Sequence, residues 1–227
     1  MGVVTLACAW LAVAPGCAQS DVPDPKRFAS AIAAFEDADR REAPPEGAVV
    51  VTGSSSIRRW HDAMADDLAP LTVVRRGFGG STMRDLAYYL DRIALGYAPR
   101  AIVIYEGDND IAQGVTPRAI LATFREVVAR SRAALPNVRI YVISIKPSLA
   151  RASMWDDMQE TNALLAEECA GSDSLTFIDV AGSMLRDDGA PRDDIFVEDG
   201  LHLNPAGYAL WRSAIRPVLM EGEARYE

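Results

Sequence analysis

The sequence is short of positive charge, of cysteine and of histidine, and it has no apolar run long enough to cross a bilayer. Lysine and arginine number 23 against 32 aspartates and glutamates, which gives a formal net charge of -9 and a pI near 4.8. A nucleic-acid binder presents a basic face, so that class of partner is disfavoured; the acidity otherwise serves solubility. Of the three cysteines, Cys8 and Cys17 fall in the apolar leader, so Cys169 stands alone in the body and no internal disulfide is available to it. Cys169 lies in the helical pattern ALLAEECAG, where no neighbour would lower a thiol pKa, and is expected to be a small buried apolar residue. The apolar stretch from Val3 to Ala14 falls short of the roughly 20 residues a membrane span needs. Two nucleotide-binding signatures are missing as well. GSSSIRRW has neither the glycine spacing nor the lysine of a P-loop, and after GFGG the third glycine of a dinucleotide fingerprint would have to fall at Thr82.

What is present begins with that leader. Residues 1–18 have the apolar centre and small-residue end of a signal peptide, with cleavage expected after Ala18, although a basic start is missing. Cys17 following Gly16 also offers a lipid-attachment position. The expectation is therefore an exported protein, periplasmic or extracellular, either free or lipid-anchored through Cys17. The rest, 26–223, reads as one domain, and a chain of 227 residues that is about half apolar supports a full core. Short Val- and Ile-rich runs at 48–53, 72–77, 101–107, 139–145 and 175–180 alternate with helical patterns at 27–41, 56–68, 82–97, 117–135, 153–170 and 205–220. Strands apolar at nearly every position are buried on both faces, and their alternation with helices points to a parallel sheet between helical layers. In such sheets the chemistry gathers at the carboxyl ends of the strands.

Four polar loops fall at those ends. The first run stops at Gly53 and opens onto Ser54, Ser55 and Ser56; the second opens onto FGGST; the third onto Asp108, Asn109 and Asp110; the last leads through DGLH to the final helix. Only two histidines exist. His61 follows Trp60 on a helix surface without an evident partner, whereas His202 has Asp199 three residues before it. That spacing lets a carboxylate reach the imidazole and fix its tautomer. Asn204 before Pro205 is the better cap for the last helix, which frees Asp199 and His202 for other work. A serine needs a base to become a nucleophile, and of the three in GSSS one can cap the helix while another attacks. Glycines after a strand let a backbone N–H face a ligand, as an oxyanion requires, and Asn109 can add a side-chain amide. Asp108 and Asp110 beside Asn109 also resemble metal ligands, but they are too few for a site; no metal and no cofactor is expected.

Taken together, GSSS (53–56), GFGGST (77–82), GDND (107–110) and DGLH (199–202) resemble the four blocks of the SGNH/GDSL hydrolases, over nearly the whole body of the chain. The resemblance implies a flavodoxin-like, five-stranded three-layer α/β/α sandwich and metal-free ester hydrolysis. It implies Ser55 as nucleophile, with Ser54 standing where the family has Asp, and Ser56 as the helix cap. It implies His202 and Asp199 as base and acid, and an oxyanion hole from the Ser55 and Gly80 backbone N–H groups and the Asn109 amide. Arg75 stands where relatives often have asparagine. In the loop after the fourth strand, Arg151 is a candidate for binding an anionic group of the substrate and Trp155 for an apolar or sugar ring; the plainer alternative is a loop leading into a helix. The expected partner is a small-molecule or carbohydrate-borne ester with a short acyl chain, since no long apolar lid segment is visible. A noncatalytic carbohydrate- or ester-binding protein on the same fold is the competing function, and no feature specifies an oligomeric state.

Overall fold

The computed structural model describes residues 23–227; the leader, with its cleavage position and Cys17, lies outside the described residues. After a 3-10 turn at Pro25–Phe28, started by the Asp24 carboxylate accepting the Lys26 N–H, helix α1 runs Ala29–Arg41. Then strands and helices alternate: β1 (Val49–Gly53), α2 (Ser55–Leu68), β2 (Val73–Gly77), α3 (Met83–Ile93), β3 (Ala101–Tyr105), α4 (Asp108–Ala112), α5 (Pro117–Ala134), β4 (Arg139–Ile143), α6 (Trp155–Ala170), β5 (Leu175–Ile178) and α7 (Pro205–Glu223). The five strands are all parallel, in the order β2-β1-β3-β4-β5. Chain order reverses direction beside β1, between β1 and β3, which is where doubly wound sheets open a crevice at their carboxyl edge.

Strand alternation divides the core. Val50, Ile102, Ile104, Ile140 and Val142 face α1, α3, α5 and α6, packing against Ile32, Leu86, Phe124 and Leu165. Val49, Val51, Val103, Tyr105 and Ile143 face α2 and α7, packing against Ile57, Trp60, Trp211 and Ile215. The result is a three-layer α/β/α sandwich. Cys169 is buried in the first of these cores, and burial pushes its thiol up to about 11. Among the described residues, no helix is long and apolar enough to cross a membrane.

Three local features differ from the sequence expectation. The loop after β3 is not open chain but the helical turn α4, because the Asp110 carboxylate takes the Gly107 and Met83 backbone N–H groups and so nucleates it. The pattern at 82–97 is split: α3 ends at Ile93 and a separate 3-10 turn covers Leu95–Tyr97, around Gly96 and ahead of Pro99. Ser56 is not the cap of α2. The helix starts at Ser55, so Ser54, two positions before Ser56, holds the N-cap position, without a side-chain capping bond, and Ser56 is buried in the first turn.

Candidate active site

The site is built at the carboxyl end of β1. Gly53 has φ +146°, and a Cβ there would lie 2.3 Å from the Tyr105 carbonyl oxygen on the neighbouring strand. Only glycine lets the two strands pair that closely and then turn. The turn is pinned by the Ser54 N–H donating to Tyr105 O at 3.2 Å. Ser55 is thereby the first helical residue of α2, where the backbone N–H has no helical acceptor and points outward with the positive end of the helix dipole.

The last loop delivers the imidazole. Between β5 and α7 the chain folds back on itself, with Val197 N–H bonded to His202 O at 2.8 Å and Gly200 N–H to Val197 O at 2.9 Å. Asn204 stops the loop by accepting the Ala206 and Gly207 N–H groups, and Pro205 opens the helix. His202 Nε2 lies 2.9 Å from Ser55 Oγ, and Nδ1 lies 2.6 Å from Asp199 Oδ2. The other Asp199 oxygen accepts the His202 and Leu201 backbone N–H groups at 2.8 and 2.9 Å. Those bonds, led by the backbone N–H of His202 and then its ring, hold the Asp199 carboxyl well below the usual carboxylate range. An ionised carboxylate can only accept, so Nδ1 carries the proton and Nε2 is left bare to accept the Ser55 O–H. A hydroxyl so held is arranged to give its proton to the ring as it attacks.

Facing this pair are the loops after β2 and β3. A Cβ on Gly79 would approach Ser55 Cβ to 3.6 Å, which puts this loop against the serine. Gly80 has φ +86°, and the space in front of it is open. Asn109 Nδ2 donates to Ser81 O at 2.9 Å, tying the two loops together. Ser81 Oγ in turn donates to Glu106 Oε1 at 2.5 Å. Glu106 is fully buried, and burial, reinforced by the nearby Asp110, pushes its carboxyl well above the normal range. Burial likewise pushes Asp110 up to about 6.

Several of these groups were not singled out from sequence. Lys146 is 1% exposed yet charged-chain by type; its Nζ lies 3.4 Å from Asp108 Oδ2, and burial lowers its pKa. Asp108 also receives the Tyr105 hydroxyl and the Arg151 guanidinium. The Asp108 oxygens are thus occupied by Lys146, Tyr105 and Arg151, and those of Asp110 by backbone N–H groups. Arg151 is correspondingly not a free cation for an anionic substrate group: its guanidinium is bonded to Asp108 and to Asn109 Oδ1. Trp155 lines a groove with Gln159, Phe177 and Leu185. His61 does have a partner, since its Nε2 accepts the Gly77 N–H at 3.0 Å. Arg75 donates to the His61 carbonyl at 2.6 Å and braces the same turn of α2.

Comparison with known proteins adds a family and a fold. The model of the GDSL-like Lipase/Acylhydrolase family matches residues 16–210. A GDSL-like lipase from Bacteroides thetaiotaomicron is similar in structure, with 20% identity, a TM-score of 0.69, and coverage of 88% of this chain and 98% of that one. An acetyl-xylooligosaccharide esterase from Geobacillus is similar with 17% identity and a TM-score of 0.61, over 78% of this chain and 95% of that one. An acetyl esterase solved with acetate ion has 16% identity and a TM-score of 0.61, over 79% of this chain and 100% of that one. No curated protein matches the chain.

Proposed function

The chain belongs to the GDSL-like lipase/acylhydrolase family, and from that premise we propose that it is a serine esterase which hydrolyses carboxylic esters of short acyl groups, acetyl foremost, through Ser55, His202 and Asp199. The observation that carries this is the continuous chain from the Ser55 hydroxyl through both ring nitrogens of His202 to Asp199, between residues 147 positions apart in sequence.

In the proposed reaction His202 Nε2 takes the Ser55 proton while Oγ bonds to the ester carbonyl carbon. The carbonyl π electrons move onto oxygen, and the Ser55 N–H, the Gly80 N–H and the Asn109 amide donate to that oxyanion. Each such donor is worth ~3 kcal/mol of barrier. The oxyanion collapses, the bond to the alkoxy oxygen breaks, and His202 protonates the leaving alcohol. Water then attacks the acyl-serine, giving its proton to His202, and Ser55 recovers that proton as the carboxylic acid leaves. Asp199 stays ionised throughout and stabilises the imidazolium in both halves.

Short acyl chains are favoured by the lack of a long apolar lid segment in the sequence. An acetylated saccharide is the class we favour among esters, since the fold similarity includes an acetyl-xylooligosaccharide esterase. Export on the leader at 1–18 is part of the same proposal and is checked by N-terminal sequencing of the mature protein. The test of the activity is hydrolysis of p-nitrophenyl acetate and of acetylated xylooligosaccharides by the wild type and Ser55→Ala. Turnover abolished in the variant is expected. Equal turnover in the two proteins would reject Ser55 as the nucleophile, and none in either would return the competing function of ester or carbohydrate binding without catalysis.

A further inference from the structure

Arg151 sits on the chain between β4 and α6, and that stretch is joined to both sides of the site. On one side, Arg151 Nη1 donates to the Asp108 backbone oxygen at 2.9 Å and to the Asp108 carboxylate, and Nη2 donates to Asn109 Oδ1 at 3.0 Å. The carboxylate that anchors it is itself seated on buried Lys146 and on the Tyr105 hydroxyl, each at 3.4 Å. On the other side, the adjacent Ala150 N–H donates to Gly200 O at 3.0 Å, within the Asp199–His202 loop. Gly200 has φ +62°, and a Cβ there would come within 3.1 Å of Leu149 Cβ, so the two loops touch closely.

The consequence falls on Asn109. Its carbonyl oxygen is claimed by a guanidinium and one of its amide hydrogens by Ser81 O. An amide gripped at both ends cannot flip, so its nitrogen stays on the Ser81 side and its second N–H is left for a ligand. A cation on the carbonyl oxygen also draws electron density from the nitrogen, which makes that remaining N–H a stronger donor. We propose that Arg151 is a positioning residue for the oxyanion: it makes no contact with substrate, and it acts through Asn109 by fixing and polarising the amide that would receive the negative charge. This rests on the assignment of Asn109 as an oxyanion donor.

The test is a double-mutant cycle on p-nitrophenyl acetate hydrolysis with Asn109→Ala, Arg151→Met and the pair, each protein checked for folding by circular dichroism. Arg151→Met is expected to lower kcat about 10- to 100-fold with KM within about twofold, because the loss is felt when charge develops on the oxyanion. The double variant should fall within about threefold of Asn109→Ala alone, since Arg151 has nothing left to act on. Arg151→Lys, which keeps charge but not the two-pronged geometry, should lie between the wild type and Arg151→Met. If Arg151→Met fails to fold, Arg151→Gln, of similar reach, replaces it in the same cycle. Losses that multiply in the double variant would overturn the proposal. So would a rise in KM at constant kcat, which would mark a direct substrate contact. A costless Arg151→Met beside a costly Asn109→Ala overturns this inference alone; a costless Asn109→Ala removes the oxyanion assignment, and the inference with it.

Discussion

The two sides of the site are supported in opposite ways. The Asp199–His202 side is local and wet: the acid lies three positions before the ring, the Asp199 side chain is 43% exposed, and two backbone N–H groups complete its shell. The Asn109 side is long-range and dry: Glu106, Asp108, Asp110 and Lys146 are all buried, and they link loops after β2, β3 and β4. A group that must only hold an imidazole can do so in contact with water, since its partner is covalently close. A neutral amide that must meet a developing charge without reorganising needs a rigid surround, and buried ion pairs supply it at a cost in desolvation. Activity is therefore expected to depend on both sides, and stability mainly on the second.

That contrast can be broken at several points. The largest expected effect is kinetic: His202→Ala should lower kcat for p-nitrophenyl acetate by ~10⁴-fold or more, while the unfolding midpoint in urea moves little. Asp108→Ala should act chiefly on stability, destabilising the fold by about 3–5 kcal/mol because it leaves the Lys146 charge buried without its carboxylate, and should also lower kcat by releasing Arg151. The matching change on the wet side, Asp199→Ala, should shift unfolding by no more than about 1 kcal/mol, although Asp199→Asn should lower kcat up to about 10⁴-fold by disturbing the tautomer. Equal destabilisation by the two Asp→Ala changes in chemical denaturation would erase the distinction.

The smallest expected effect concerns His61. Burial first, then the neighbouring Arg58, Arg75 and Arg76, lower its pKa from 6.5 to about 4. The unfolded chain then takes up a proton before the folded one does, so stability is lost as pH falls from 6.5 towards 4. Asp110, pushed up to about 6 by burial, works in the opposite sense over its own range and masks part of the slope. His61→Gln can still accept the Gly77 N–H but does not titrate. The stability difference between the wild type and this variant should therefore shrink by about 1 kcal/mol between pH 7 and pH 5, after allowance for partial exposure. A difference independent of pH would show that His61 titrates normally.

How much of this was legible in the sequence follows the same division. Strands such as AIVIY and VVVTG announce themselves because apolar side chains must cover both faces, and the observed strands begin and end within two residues of those runs. The Asp199–His202 contact is legible because it is local, fixed by spacing and by the Asn204–Pro205 helix start. The helix cap in GSSS was misjudged by two residues, since capping preference marks Ser over its neighbours but does not choose among three serines. Much of the buried support of Asn109 was invisible for a physical reason: Lys146 and Arg151 are residue types that usually face water, and the partners that hold Arg151 lie 42 and 43 positions away. A lysine directly after the apolar run of β4, opposite the acid-rich GDND, was the one available hint.

The measurement that bears most directly on the account is covalent labelling with a fluorophosphonate, which phosphonylates an activated serine with loss of fluoride. Intact-mass analysis followed by peptide mapping should find one adduct per chain, on Ser55, with His202→Ala labelling far more slowly. Modification at another residue, or labelling of Ser55→Ala as fast as the wild type, would contradict it.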